Sequence, residues 1–269
     1  RSVKQNASDL HLCTGYPPVL RIDGALQTLG TEAITSREIE SWLTMQLPSE
    51  ADVVWRQQHQ VDFALNLNGG TRLRVNAFQQ LHGPSLALRL IPSTVPTLAS
   101  LATPEMLQEQ LAQGSGLILV CGATGSGKST TLAAMLNEIN HHQPWHIITL
   151  EDPLEFIHTP SKSLIQQREI GSHVINFHHA LRAALREDPD VILLGELRDA
   201  ESIRLALTAA ETGHLVLATL HTRGAAQAVE RLIDVFPAEE KNFVRTQIAG
   251  SLRAVLAQQL LPKQGGGRV

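Results

Sequence analysis

The sequence predicts a mixed α/β protein in two parts: a small α+β module, then a domain built on a doubly wound parallel sheet. Three observations lead there. In the second half, short apolar runs alternate with amphipathic stretches, the pattern of strands buried on both faces between crossover helices. In the first third, period-2 alternation is punctuated by tight-turn dipeptides, as in a half-buried antiparallel sheet. Between the two, prolines at 92, 96 and 104 interrupt regular structure.

The first module is read over residues 1–95. Strands at Leu20 to Ile22 and Leu26 to Leu29 flank Asp23-Gly24, a dipeptide suited to a hairpin turn. Ser36 is expected to cap a helix running to about Leu47, with Ile39, Trp42 and Leu43 on one side, and a second helix covers Glu50 to Gln58. Val61, Phe63, Leu65 and Leu67 then alternate with polar neighbours, Asn68-Gly69-Gly70 turns, and Leu73, Val75 and Ala77 alternate again. A further strand, Leu86 to Ile91, follows Gly83-Pro84. Residues 96–111 read as a linker and 112–269 as the second domain. In that domain strands are expected at Leu117 to Cys121, His146 to Leu150, Val191 to Leu194 and Leu215 to Thr219. Helices are expected at Lys128 to Asn140, Asn176 to Arg186, Asp199 to Thr212, Ala225 to Asp234 and Ala238 to Gln259.

Composition excludes several functions. The 269 residues carry a formal charge of -4, and neither part is basic: eight basic and eight acidic side chains up to residue 95, fourteen and eighteen beyond it. With aromatics at only 4%, neither a phosphate-gripping face nor a stacking platform for nucleic acid is expected. Cys13 and Cys121 lie far apart, which supports neither a disulfide framework nor a cysteine zinc site and fits a reducing cytoplasm. No apolar run reaches the roughly 18 residues of a membrane span, and Arg1-Ser2-Val3-Lys4 opens no signal pattern. Any membrane association is therefore expected through partners. A start without Met and an end just past Gly265-Gly266-Gly267 read as a fragment whose terminal elements lie outside it.

The most specific signal is Gly122-Ala123-Thr124-Gly125-Ser126-Gly127-Lys128-Ser129, followed by Thr130, between an expected strand and an expected helix. Glycines there let main-chain N–H groups turn inward around a phosphate, and the helix N-terminus adds partial positive charge. Lys128 then reaches the β and γ phosphates, and Ser129 holds Mg²⁺. Further candidates stand at expected strand ends, where an open α/β sheet gathers its chemistry. Glu151 closes the strand from His146; Glu196 follows Val191 to Leu194, where a carboxylate has little structural reason to be; His221 follows the strand from Leu215. Asp152 and Glu155 read equally well as turn residues beside Pro153. Asp188 and Asp190 read as caps or turns, His214 as structural or interfacial, and His141-His142 and His178-His179 as exposed helix positions without metal-ligand partners.

With these motifs in this order, essentially the whole chain resembles the secretion ATPase superfamily, and within it the PilT-type ATPases of type IV pilus retraction and twitching motility. Ala7 to Leu12 and Arg21 to Gly24 resemble the family's PAS-like N-terminal domain. Residues 122–130 resemble its Walker A segment, Leu150 to Phe156 its Asp box, Leu193 to Asp199 its glutamate-bearing Walker B, and Ala209 to Thr222 its His box. The resemblance implies a RecA-like P-loop ATPase domain using ATP and Mg²⁺, with Ser129 and Glu196 at the metal and Glu151, Glu196 and His221 around the attacking water and γ-phosphate. It also implies nucleotide contacts from Arg74 and Arg89, which on the residues alone read as exposed strand positions. Partners implied are further copies in a hexamer and an inner-membrane platform protein. The tetracysteine insertion of extension-type members, expected near Leu260 to Gln264, is absent, which favours the retraction branch.

The expected function is an ATP-hydrolysing hexameric motor of a pilus or secretion apparatus. Three rivals remain: an ATP-binding assembly scaffold with little turnover, an extension-type secretion ATPase, and a nucleic-acid motor on the same core, supported by fold analogy alone. Which of Glu151 and Glu196 is the base stays open.

Overall fold

The computed structural model describes residues 7–22, 24–67, 72–92 and 94–261. The chain divides into two compact units, residues 1–93 and 94–269.

The first unit contains β1 (Asp9–Cys13), β2 (Val19–Ile22), β3 (Ala25–Thr28), α1 (Ser36–Gln46), α2 (Ser49–Gln58), β4 (Gln60–Asn66), β5 (Arg72–Gln80) and β6 (Gly83–Ile91). The strands form one antiparallel sheet in the order β3-β2-β1-β6-β5-β4. Alternation sends Leu73, Val75 and Ala77 of β5 into a core shared with Ile39 and Leu43 of α1, and leaves Arg72 and Arg74 on the other face. Thr35, not Ser36, caps α1: it accepts from the Glu38 N–H while the Glu38 carboxylate accepts from Thr35 N–H, a reciprocal capping box. Ser36 is the first helical residue, so that cap lies one position earlier than expected. Asp23 of the first hairpin, the Asn68-Gly69-Gly70 turn and Gly265 to Gly267 lie outside the described residues.

The second unit contains α3 (Met106–Ala112), β7 (Gly116–Gly122), α4 (Lys128–His142), β8 (His146–Glu151), β9 (Leu164–Glu169), α5 (Phe177–Ala184), β10 (Val191–Leu194), α6 (Ala200–Glu211), β11 (Leu215–Leu220), α7 (Ala225–Asp234), α8 (Lys241–Ser251) and β12 (Leu252–Gln258). Its sheet is wholly parallel, in the order β12-β7-β11-β10-β8-β9. Successive residues of β7 feed opposite faces: Leu117, Leu119 and Cys121 pack with α5, α6, α7 and α8, while Ile118 and Val120 pack with α3 and α4. Helices on both faces explain the unbroken apolar runs.

Three expectations need correction. The helix expected over Ala238 to Gln259 stops at Ser251, and Leu252 to Gln258 pair in parallel with β7 instead. Leu, Ala and Gln favour helix locally, but Ala254 and Leu256 pack on one face of the sheet and Leu252 and Val255 on the other. Gly116 makes the close approach possible, because a Cβ there would lie 2.5 Å from Arg253 Cγ and 2.8 Å from the Ser251 carbonyl. Secondly, β9 was not anticipated. Thirdly, residues 96–111 do not form an extended linker: they hold a short 3-10 turn and most of α3, and Leu98, Leu107 and Leu111 are buried in the core of the second unit. Among the described residues, no helix is long and apolar enough to cross a membrane.

Candidate nucleotide site

The glycine-rich loop leaves the C-terminal end of β7 and enters α4 at Lys128. Gly127, in the left-handed region at φ 92, sits at the N-cap of α4, and no side chain caps that helix end. Its first N–H donors are thereby left for a ligand, with the helix dipole behind them. Gly122 is required by space, since a Cβ there would meet Ser126 Oγ and, at 2.5 Å, the Gln258 carbonyl of β12. The Lys128 ammonium folds back onto its own loop, donating to the Gly122 and Ala123 carbonyls at 3.0 Å each. Burial lowers its pKa, and the Glu196 and Glu155 carboxylates oppose that. Among the described residues, Ser126 Oγ is buried without a partner. An uncapped helix end, a cation bonded only to carbonyls and an orphaned hydroxyl together fit a phosphate chain.

The strand order brings the acids and the histidine to the same sheet edge as the loop, since β7, β11, β10 and β8 are successive neighbours. Glu196 lies two residues past β10. Its carboxylate pairs with Arg198 Nη2 at 2.8 Å and with His221 Nε2, one residue past β11, at 3.4 Å. Burial pushes the Glu196 carboxyl up, but Arg198 and His221 together outweigh it and hold it below its ordinary value. Hydrogen bonds brace this arrangement: Gly195 N–H donates to the Leu150 carbonyl at 2.8 Å, and Leu197 N–H to the Thr219 carbonyl at 3.1 Å.

Glu151 ends β8. Burial pushes its carboxyl up to about 7, against a 2.7 Å hydrogen bond from Thr149 Oγ1, a longer contact from Gln167 Nε2 and a bond from the Glu155 main chain. A carboxyl near neutrality is suited to taking a proton at physiological pH.

The structure gathers Lys128, Glu151, Glu196 and His221 on one unit. Glu155, open between two readings, reaches Glu151 through its main chain and Lys128 through its charge. Asp190 accepts from His146 N–H at 2.8 Å, His214 bonds the Ala209 carbonyl at 3.0 Å, and His141 and His142 bond carbonyls one turn back in α4. His178, read as an exposed helix position, is partly exposed and its Nε2 meets Asp199 Oδ1 at 3.0 Å at the cap of α6. Arg74 and Arg89 belong to the first unit, where they are register partners on β5 and β6. Arg89 Nε donates to Asp9 at 2.8 Å, while Arg74 stands 3.8 Å from Asp62. Sequence reasoning gave no role to Arg198, Thr149 or Gln167. The one sequence signal for Thr149 was its spacing, two positions before Glu151 on one expected strand, which does not by itself assign it a role; β9, which carries Gln167, gave none.

A family model described as type II/IV secretion system protein matches residues 1–265. The chain is 58% identical over 268 residues to the uncharacterized protein YggR of Escherichia coli K12, covering 100% of this chain and 81% of that one. It is 47% identical over 268 residues to the type IV pilus retraction ATPase PilT of Pseudomonas aeruginosa, covering 100% and 78%. Among solved structures, the pilus retraction motor PilT with bound ADP matches at a TM-score of 0.95 and 42% identity, covering 100% of this chain and 78% of that one. On the sequence, the fold and the loop geometry together, the chain belongs to the type II/IV secretion system protein family, in its PilT-type branch.

Proposed function

We propose that the chain is an ATP-hydrolysing motor of the pilus-retraction kind, working in the cytoplasm as a homo-hexamer against an inner-membrane platform protein, with a PAS-like first unit. The observation that carries this is the convergence of the Lys128 loop, Glu196, His221 and Glu151 on adjacent strand ends of a PilT-like fold.

Main-chain N–H groups of residues 124–130 and the Lys128 ammonium bind the β and γ phosphates, Lys128 exchanging its two loop carbonyls for phosphate oxygens. Ser129 and Glu196 would hold Mg²⁺, which would supply positive charge against the negative charge of the phosphate oxygens. Glu151 takes the proton of the attacking water as its oxygen bonds the γ-phosphorus and the bond to the β-phosphate oxygen breaks, leaving ADP and phosphate. His221 reads the γ-phosphate and transmits its loss to Glu196, with which it is already paired. Arg74 and Arg89 meet the spreading charge from a first unit, so that turnover is coupled to domain movement.

The test is ATP turnover with Mg²⁺ or with EDTA, measured alongside particle mass over a dilution series. Mg²⁺-dependent turnover that falls as hexamers dissociate is expected. An unchanged rate in monomers would remove the shared site, and no turnover in any assembled state would remove the motor.

A further inference from the structure

We propose that Thr149 and Gln167 are positioning residues that aim the Glu151 carboxylate for hydrolysis, an inference resting on the reading of Glu151 as the acceptor of the water proton. The placement follows from sheet register. Thr149 and Glu151 are two apart on β8 and so emerge on one face, and Gln167 of β9 is the register partner of Thr149. A one-residue slip of β9 would carry Gln167 to the opposite face.

Thr149 is fully buried, and its hydroxyl donates to Glu151 Oε1 at 2.7 Å. The Gln167 amide is oriented without ambiguity. Its oxygen accepts from the His158 N–H at 2.9 Å, so its nitrogen must face the Phe156 carbonyl at 2.9 Å and Glu151 Oε1 at 3.5 Å. One glutamine thus ties the segment between β8 and β9 to the acid. Both side-chain donors address Oε1, so together they fix one oxygen and thereby the direction of the other. Without these two donors the carboxylate keeps only the Glu155 main-chain bond to hold its rotamer, and an error of about 1 Å at a reacting group costs on the order of a hundredfold in rate.

Thr149→Val keeps the shape and removes the hydroxyl; Gln167→Leu removes the amide. Expected for Thr149→Val is a fall in kcat of tenfold or more, with ADP affinity within about twofold of the parent. Thr149→Ser should restore the rate, which a purely steric role would not require. Because Thr149 acts through Glu151, the Thr149→Val/Glu151→Gln double variant should be no slower than Glu151→Gln alone. For Gln167→Leu the same pattern is expected with a smaller fall, as its contact is longer. Parent-like kcat in Thr149→Val, or effects of Thr149→Val and Glu151→Gln that multiply, would overturn the proposal while leaving Glu151 in place. Parent-like turnover in Glu151→Gln itself would instead overturn the reading on which it rests.

Discussion

Replacing Glu151 by Gln should make the second unit more stable, and only at the alkaline end. Between pH 4.5 and about 7 the folded protein holds the Glu151 proton more tightly than the unfolded chain does, so stability drains away as pH rises through that window. Above it, the ionised acid sits in a setting that disfavours charge. The interval from 4.5 to about 7 corresponds to roughly 3 kcal/mol at about 1.4 kcal/mol per pH unit, an upper bound because water can reach a partly exposed carboxylate. Glutamine has no charge to desolvate and can still accept from Thr149. The expected gain is therefore roughly 1–3 kcal/mol at pH 8.5, shrinking below about 1 kcal/mol at pH 5. Urea unfolding in a Trp42→Phe/Trp55→Phe background isolates Trp145 as the reporter of the second unit. Comparing variant with parent at each pH cancels the titrating groups that are not coupled to Glu151, leaving Glu155 as its one charged neighbour among the causes of its shift. An equal gain at both pH values, or a loss at pH 8.5, would refute the reasoning, because Glu151 would then be ionised and well satisfied in the native state.

Other substitutions probe separate parts of the same argument. Gly122→Ala forces a Cβ against the Gln258 carbonyl at 2.5 Å, and should weaken ADP binding at least tenfold in a titration while costing about 1–3 kcal/mol in unfolding. Lys128→Met removes the phosphate-binding charge, so ATP turnover should fall on the order of a hundredfold or more. The melting temperature of Lys128→Met should hold or rise, because a partly buried ammonium bonded only to carbonyls is lost. Thr35→Ala breaks the capping box of α1 and should cost about 1 kcal/mol in the first unit, read by urea unfolding with Trp42 as the reporter.

What was legible in the sequence follows from where each element packs. Val191 to Leu194 and Leu215 to Leu220 are buried on both faces, so their apolar runs announced them, and the amphipathic stretch of α7 was read to the residue. The glycine loop was equally clear, since its residue types are dictated by main-chain geometry. β9 was silent because Leu-Ile-Gln-Gln-Arg-Glu has two apolar residues in six and lies at the sheet edge, paired only with β8. β12 was misread because its residues favour helix in isolation and become a strand only against β7. The acids could be named from their strand-end positions, but their partners could not: Arg198 on Glu196, and Thr149 with Gln167 on Glu151, depend on register and loop path.

The neighbours of β7 also govern the order in which this site can come into being during synthesis. β7 is flanked by β11 and β12, both encoded well after the glycine loop, and the wall that Gly122 must fit against is the Gln258 carbonyl. A nascent chain that has emerged only through α6 carries the loop on a strand with neither lateral partner yet made. The loop's final shape is thus completed by the last described strand, because the carbonyl that faces Gly122 belongs to residue 258.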